Sequence, residues 1–180
     1  MNQRTTRWMS QMARQTGALL LGSFIAREGE NFFNRLVWAE PDGRLLTYDK
    51  KHLFRMGEEN NVYTPGNRRL IAEWKGWRIC PLVCYDLRFP VWSRQSDPSA
   101  PEYDILVYIA NWPDRRISAW KNLLLARAIE NQSYVMGVNR VGVDGNNIHH
   151  SGCSLVVSPL GEILYECLGK EDVFTIKLEK

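Results

Sequence analysis

The sequence predicts an α/β sandwich with mixed sheets, and three patterns along its 180 residues support that fold class. Strand-like and helix-like segments alternate over most of the chain, and a run of hairpins follows them. Residues 104–110 form an almost continuous apolar run, which is typical of a strand covered on both faces. Residues 116–131 predict the clearest helix, because apolar side chains recur there at helical spacing: Ile117, Trp120, Leu124 and Ala128.

The first part of the chain predicts one helix and three strands. Residues 6–16 predict a helix whose apolar face carries four side chains: Trp8, Met9, Met12 and Ala13. Strands are expected near residues 18–26 and 32–39. The Pro41-Asp42-Gly43 turn follows, because proline fixes φ and glycine accepts a positive φ. Residues 44–48 therefore pair with the preceding strand in a hairpin.

The rest of the chain predicts short strands on both sides of the long helix. Residues 50–68 are polar and irregular, and strands at 69–74 and 77–84 are joined by a tight turn. A short helix is expected after Pro90, because proline favours the first helical position. Beyond the long helix, polar turns separate four expected strands: residues 134–140, 152–158, 162–167 and 172–178.

Composition excludes several classes of protein. The 44% apolar and 24% charged residues are typical of a folded globular chain and exclude a disordered one. The formal net charge of +3 is too small to indicate nucleic acid or an anionic membrane as partner. The apolar stretches are far shorter than a bilayer span. We therefore expect one enzyme or binding domain over residues 1–180, with neither a nucleic-acid nor a membrane partner.

The cysteines predict free thiols in a cytoplasmic protein. There are four of them: Cys80, Cys84, Cys153 and Cys167. A chain of this size builds a core without disulfides, and the spacings typical of zinc sites are absent from the sequence. A basic start and a later apolar run imitate a signal peptide, but the polar residues between them argue against one.

Residues 77–90 carry the clearest chemical signal, because a predicted buried strand runs directly into Cys84 and then into a polar turn. Such a turn lifts a side chain off the end of a sheet and points free backbone N–H groups at the same place. Cys84 is a candidate nucleophile if a neighbour lowers its pKa, and otherwise a small buried apolar residue. Cys80, four residues earlier, is expected in the core.

Two kinds of residue can activate such a thiol. Any of the three histidines can form a Cys–His pair with it: His52, His149 and His150. Lys50 follows a predicted strand, and a lysine at a strand end inside a pocket donates protons and stabilises an oxyanion. The alternative for Lys50 and Lys51 is a solvated basic loop, which the residues taken alone favour.

These segments together resemble the nitrilase, or carbon–nitrogen hydrolase, superfamily. A Lys-x-His-Leu-Phe pattern occupies residues 50–54, Glu59 precedes a Pro-Gly pair, and Cys-Tyr-Asp-Leu-Arg-Phe-Pro occupies residues 84–90. Three later segments match in the same order: residues 110–113, 126–131 and 139–142. Residues 83–94 and 111–113 resemble most the bacterial ω-amidase branch, which deamidates 2-oxoglutaramate.

The resemblance implies a four-layer α-β-β-α sandwich, a homodimer, and a cysteine mechanism that needs no metal or organic cofactor. Carried over, Cys84 is the nucleophile, and Lys50 is the acid that also stabilises the oxyanion. The backbone N–H of Tyr85 completes the oxyanion hole, and Glu59 positions the substrate and the lysine. Without the resemblance, Glu59 and its neighbour Glu58 are a solvated acidic pair.

The resemblance also implies substrate-binding residues around the thiol. Besides Tyr85, these are Arg88 and Trp112. Trp112 forms a pocket wall or else packs in the core. Arg88 and Arg140 are candidates for binding a substrate carboxylate through a bidentate fork, and the alternative for each is a salt bridge to Asp or Glu.

One departure from the family pattern concerns the general base. The family's base glutamate lies upstream of the first helix, and none of residues 1–17 is Glu or Asp. The family's first strand–helix–strand unit and its C-terminal segment have no match either. We therefore expect a partial domain, shortened at both termini, with a rate lowered by about two to four orders of magnitude.

Hydrolysis of a small ω-amide, 2-oxoglutaramate or 2-oxosuccinamate, through a cysteine thioester is the function that the resemblance implies. A first alternative is an amidase or carbamoylase that acts on a different linear substrate. A second is a catalytically impaired fragment that acts as a binding or interaction module. A third is a Cys–His hydrolase that uses His149 or His150.

Overall fold

Two β-sheets lie face to face between two helices in the computed structural model, which describes residues 3–97 and 99–179. The helices are α1 Gln3–Thr16, α2 Glu59–Val62, α3 Pro90–Ser93 and α4 Ile117–Asn131. The strands are β1 Leu20–Glu28, β2 Asn31–Ala39, β3 Leu45–Asp49, β4 Ala72–Trp74, β5 Trp77–Val83, β6 Ile105–Ala110, β7 Tyr134–Asn139, β8 Val141–Val143, β9 His149–Val157 and β10 Ile163–Leu168. Among these described residues, no helix is long and apolar enough to cross a membrane.

Four layers follow one another through the molecule: α1, the β1–β3 sheet, the β4–β10 sheet and α4. The first sheet is an antiparallel meander, and α1 covers it by packing Met9 and Ala13 against Val37 and Ala39. The turn predicted between β2 and β3 forms with Gly43 at a φ of 96°. This arrangement confirms the predicted α-β-β-α sandwich.

One part of the predicted apolar face of α1 is wrong. Trp8 is 57% exposed, whereas Thr6 is buried together with Met9 and Ala13. Successive residues of a helix are rotated by about 100°, so a buried stripe through Thr6, Met9 and Ala13 turns Trp8 towards solvent.

The second sheet has the order β10-β9-β7-β6-β5-β4, with β8 paired to β9. Strands β5, β6 and β7 run parallel to one another, whereas β4 and β9 are antiparallel to their neighbours. Helix α4 lies close against this sheet because Gly137 of β7 has no side chain, and a Cβ there would overlap Leu124. The Trp120 indole N–H of α4 donates a hydrogen bond to the Cys153 carbonyl at 2.8 Å.

The two sheets meet around Trp38 of β2, which packs with four residues of the second sheet: Ala72, Ile79, Ile105 and Val107. Because β5, β6 and β7 are parallel, their last residues Val83, Ala110 and Asn139 lie along one edge. That edge, beyond the carboxyl ends of the strands, is where open α/β sheets place their ligands.

Two strand predictions need correction. Residues 172–178 form no strand, and Val173 is 97% exposed. Their alternating pattern is typical of a strand, but no strand of the described chain pairs with them. Conversely, β8 is a short strand that the sequence did not predict, and it pairs with the beginning of β9 across the polar turn at residues 144–147.

Candidate active site

A pocket of about 420 Å³ opens beyond the ends of β5, β6 and β7. It is lined by all six residues that the sequence predicts for the site: Lys50, Glu59, Cys84, Tyr85, Arg88 and Trp112. The remaining carboxylate candidate, Arg140, lines it as well. The fold therefore brings together side chains from segments that lie far apart in the sequence.

Cys84 stands at a sharp bend between β5 and a single 3₁₀ turn formed by residues 84–88. Its φ is 46°, in the left-handed region that residues with a Cβ rarely adopt. Holding such a residue there costs about 1–2 kcal/mol. A strained strand-to-helix turn of this kind presents a nucleophile above the end of a sheet.

The surroundings of the Cys84 thiol have opposing effects on its pKa. Burial raises the pKa of Cys84, and the positive charge of Lys50 lowers it. The Glu59 carboxylate raises that pKa further, and a backbone hydrogen bond from Asn111 lowers it. Because burial is the largest effect, the pKa is raised overall and the resting thiol carries its proton. A reaction at Cys84 must therefore move that proton as the sulfur attacks.

Lys50 is held in the pocket by the chain around it. Its side chain is 1% exposed, and its Nζ donates a hydrogen bond to Glu59 Oε2 at 2.6 Å. The Phe54 backbone N–H donates to the same oxygen at 2.8 Å. The Gly66 N–H donates to the Lys50 carbonyl at 3.0 Å, and a Cβ on Gly66 would overlap the Asp49 carbonyl. The solvated-loop alternative for Lys50 and the acidic-pair alternative for Glu59 are thus both wrong.

A buried carboxylate joins the two segments that carry Cys84 and Lys50. Asp86 is 0% exposed and lies two residues after the cysteine. It accepts hydrogen bonds from the Val83 N–H at 3.1 Å, the Tyr48 hydroxyl at 2.7 Å and the His52 N–H at 2.9 Å. Val83 precedes the cysteine, and Tyr48 and His52 flank Lys50. One carboxylate therefore fixes the bend of Cys84 relative to the loop of Lys50.

Another part of the pocket lining combines arginines with aromatic rings. The Arg88 guanidinium lies 5.2 Å from the centre of the Trp112 ring. The Trp112 indole N–H donates to the Arg116 carbonyl at 2.8 Å, and the Arg116 guanidinium lies 4.9 Å from the centre of the Phe54 ring. Trp112 is also 3% exposed and packs against Trp120, so it is both a pocket wall and a core residue.

The salt bridges considered for Arg88 and Arg140 do not form. Within residues 3–97 and 99–179, neither guanidinium lies within 4.0 Å of a carboxylate oxygen, the limit for an ion pair. Arg140 instead donates a hydrogen bond to the Val143 carbonyl at 3.3 Å.

The histidines do not support a Cys–His pair. Of the pocket residues that the structure describes, none is a histidine. The His52 ring stacks on Phe89, with 3.7 Å between the ring centres, and its Nδ1 lies 2.9 Å from Asp86 Oδ1. The Nδ1 of His150 lies 3.0 Å from the Ile148 carbonyl oxygen. The structure therefore gives no support to the alternative of a Cys–His hydrolase.

A second cysteine shares the backbone conformation of Cys84. Cys153 lies within β9 at a φ of 56°, and its side chain is buried. Its Sγ lies 3.4 Å from Glu166 Oε1, and burial together with this carboxylate raises the pKa of the thiol to about 11. All four cysteines are free thiols, and Cys80 is buried in the core as expected.

The sequence did not single out Asp86 or Arg116. Asp86 lies inside the matched motif, and an acidic residue directly after a buried strand is the signal that identifies it. No comparable signal separates Arg116 from the adjacent Arg115, because only the fold turns the former into the pocket.

Comparisons with known proteins find related sequences. A family model described as carbon–nitrogen hydrolase matches residues 1–179. The omega-amidase YafV of Escherichia coli K12 is 53% identical over 157 residues, which cover 87% of this chain and 60% of that relative. The 2-oxoglutaramate amidase of Bacillus subtilis 168 is 32% identical over 174 residues, which cover 96% of this chain and 66% of that relative.

A solved structure shares the fold. A CN-hydrolase superfamily protein from Xanthomonas campestris, which has an arsenic adduct in its active site, is 49% identical and superposes with a TM-score of 0.92. The match covers 96% of this chain and 66% of that one. The match to the omega-amidase YafV of Escherichia coli K12 spans 60% of the length of that relative.

Proposed function

Because the chain belongs to the carbon–nitrogen hydrolase family, we propose that it hydrolyses a small ω-amide, 2-oxoglutaramate or 2-oxosuccinamate, through a cysteine thioester. The observation that supports this most is the meeting of the Cys84 thiol with the Lys50–Glu59 pair in one pocket. Relatives named omega-amidase and 2-oxoglutaramate amidase support the choice of substrate.

In the first half of the proposed reaction, Cys84 Sγ attacks the amide carbon and the carbonyl oxygen becomes an oxyanion. The Lys50 ammonium and the Tyr85 backbone N–H stabilise this oxyanion, and Glu59 holds the lysine in place. The carbon–nitrogen bond then breaks. Ammonia leaves with the proton that the thiol has lost, and the acyl group stays on sulfur as a thioester.

In the second half, water attacks the thioester carbon through a second oxyanion in the same position. The carbon–sulfur bond breaks, the carboxylic acid is released, and Sγ recovers a proton from the water. Arg88 and Trp112 form the side of the pocket that receives the rest of the substrate. The sum is one amide and one water converted to one acid and one ammonia, with no electrons transferred.

We propose further that residues 1–180 are part of a single carbon–nitrogen hydrolase domain that acts as a cytoplasmic homodimer. The family resemblance supports the dimer, and the small net charge of +3 supports a small-molecule partner rather than nucleic acid or a membrane. Light scattering on the purified protein tests the dimer, which has twice the 20.9 kDa mass of one chain.

The experiment that tests the function measures ammonia release from 2-oxoglutaramate by the purified chain, with Cys84→Ala in parallel. Release that depends on Cys84 supports the thioester mechanism. Equal release by the Cys84→Ala variant contradicts it. No release from a chain that melts cooperatively contradicts the proposed activity and favours the binding or interaction module.

A further inference from the structure

The charges that line the pocket are unbalanced. Its cationic side chains are Lys50, Arg88, Arg116 and Arg140, and the only described acidic side chain among the lining residues is Glu59. That single carboxylate is already bound to Lys50 at 2.6 Å. Within the described part of the chain, no carboxylate oxygen lies within ion-pair distance of the three arginines. An anion in this pocket would therefore meet three guanidinium groups that have no carboxylate partner among the described residues.

Arg116 is the arginine whose surroundings most favour an anionic ligand. It lies in the turn before α4, is partly buried, and faces the pocket. Burial and the nearby positive charges of Arg115 and Arg88 lower the pKa of Arg116. Both effects destabilise the positively charged form of its guanidinium. A negative charge bound beside Arg116 and Arg88 relieves that repulsion and gains charge-assisted hydrogen bonds.

Aromatic rings hold Arg88 and Arg116 in position without using their N–H groups. Arg88 lies over the Trp112 ring at 5.2 Å, and the same indole donates its N–H to the Arg116 backbone. Arg116 itself lies over the Phe54 ring at 4.9 Å. A guanidinium attracted to the face of a ring forms no hydrogen bond with that ring, so its N–H groups are available for a bidentate carboxylate.

Phe54 also relates this wall to the reacting end of the pocket. Its ring lies under Arg116, and its backbone N–H binds the Glu59 oxygen that holds Lys50. Phe54 therefore contacts both Arg116 and the Glu59 carboxylate that binds Lys50, and all of these residues line one pocket. A ligand with an amide at one end and a carboxylate at the other can meet Lys50 and the arginines in that pocket.

We infer that Arg116, together with Arg88, forms a carboxylate-binding subsite, and that Arg116 is the main residue selecting amides with a carboxylate at the far end. The inference rests on the proposed function for its choice of amides as ligands. It adds a residue that the sequence did not single out and assigns to it the discrimination between anionic and neutral amides.

Calorimetric binding of two matched amides to the full chain tests the subsite. Succinamate and butyramide differ in that a carboxylate replaces a methyl group, and Cys84→Ala in every protein prevents turnover. We expect succinamate to bind at least tenfold more tightly than butyramide. Adding Arg116→Gln should lower that affinity ratio by about tenfold, which corresponds to 1.4 kcal/mol.

Arg115→Gln is the matched control, because it removes the same charge from the same turn at an exposed side chain outside the pocket. It should leave the affinity ratio within about twofold, since an exposed charge is screened by salt. Arg116→Lys keeps the charge without the bidentate fork and should give an intermediate ratio. This variant and Arg88→Gln keep the test decisive if Arg116→Gln melts at a lower temperature.

Three results overturn the inference. The first is equal affinity of the Cys84→Ala protein for succinamate and butyramide. The others are an affinity ratio that Arg115→Gln and Arg116→Gln lower equally, or one that Arg116→Gln leaves unchanged. Binding without turnover keeps this test separate from the proposed function. Selective binding of succinamate by a chain that releases no ammonia supports the subsite and contradicts the hydrolase.

Discussion

Cys84 and Cys153 have the same unusual backbone conformation, yet their surroundings give them different chemistry. Both lie along the second sheet, at φ values of 46° and 56°, and burial raises the pKa of both thiols. Cys84 lies at the end of a parallel strand and faces a pocket, whereas Cys153 lies within an antiparallel strand and is covered.

The charged neighbours of the two thiols have opposite signs. Lys50 lowers the pKa of Cys84 against the effect of burial, whereas Glu166 adds to burial and raises the pKa of Cys153. Backbone strain is therefore shared by both cysteines and does not define a nucleophile. The nearby cation and the space for a substrate are what distinguish Cys84.

Alanine at each cysteine gives the largest expected contrast. Cys84→Ala should reduce ammonia release from 2-oxoglutaramate to the level without protein, because no other thiol lines the described pocket. Cys153→Ala should retain activity, since its sulfur contacts Glu166 and no substrate. Steady-state ammonia assays measure both. A Cys153→Ala protein that folds but has lost activity would contradict the distinction between the two cysteines.

Removal of the cation beside Cys84 should give the next largest effect. In the proposed mechanism Lys50→Met removes both the acid and an oxyanion donor, and we expect kcat to fall by about 10²–10⁴. Lys51→Met is the control, because the adjacent Lys51 lies over the Trp92 ring and does not line the pocket. Similar losses in the two variants would contradict a specific role for Lys50.

The thiol titration of Cys84 should respond to the same cation. Its raised pKa means that alkylation by iodoacetamide is slow at neutral pH and accelerates as the pH rises through that pKa. Lys50→Met removes a charge that lowers the pKa of Cys84, so the titration should move to higher pH and the alkylation rate at pH 8 should fall. Mass spectrometry of the labelled peptide gives the rate at Cys84 alone, and an unchanged or lower midpoint would show that Lys50 does not act on the thiol.

The smallest expected effect concerns stability and arises from the positive φ that Cys84 and Cys153 share. Glycine accepts a positive φ without the Cβ clash, so Cys84→Gly should be more stable to urea than Cys84→Ala by about 1 kcal/mol. The same sign is expected for Cys153→Gly against Cys153→Ala. An alanine variant as stable as its glycine counterpart would show that the left-handed backbone is not strained at that position.

The residues that the sequence singled out line one pocket, and each of them belongs to a local motif. Lys50 and Cys84 each follow a strand, and strand ends converge once the sheets form. Asp86 and Arg116 were not predicted because their roles depend on distant partners. Asp86 matters through Tyr48 and His52, and Arg116 through its position near Arg88 and over the Phe54 ring.

The fold predictions failed where the structure of a segment depends on packing or pairing with another element. The apolar stripe of α1 was ambiguous because Trp8 and Thr6 border Met9 on different sides, and only the covering sheet selects Thr6. Residues 172–178 alternate like a strand, but alternation describes two faces and does not supply a partner strand. Helix α4 needed no such information, because its apolar side chains recur at helical spacing from Ile117 to Ala128.

The carboxylate of Asp86 has a consequence for anyone who transplants or redesigns this pocket. Val83, Tyr48 and His52 all donate hydrogen bonds to this carboxylate. The segment that carries Cys84 and the segment around Lys50 therefore depend on each other for their hydrogen bonds. A graft that carries only the cysteine segment leaves the buried Asp86 carboxylate without its Tyr48 and His52 donors, and each buried unpaired group costs about 1–3 kcal/mol. The two segments are therefore a single exchangeable unit, although more than thirty residues separate Asp86 from its donors Tyr48 and His52 along the chain.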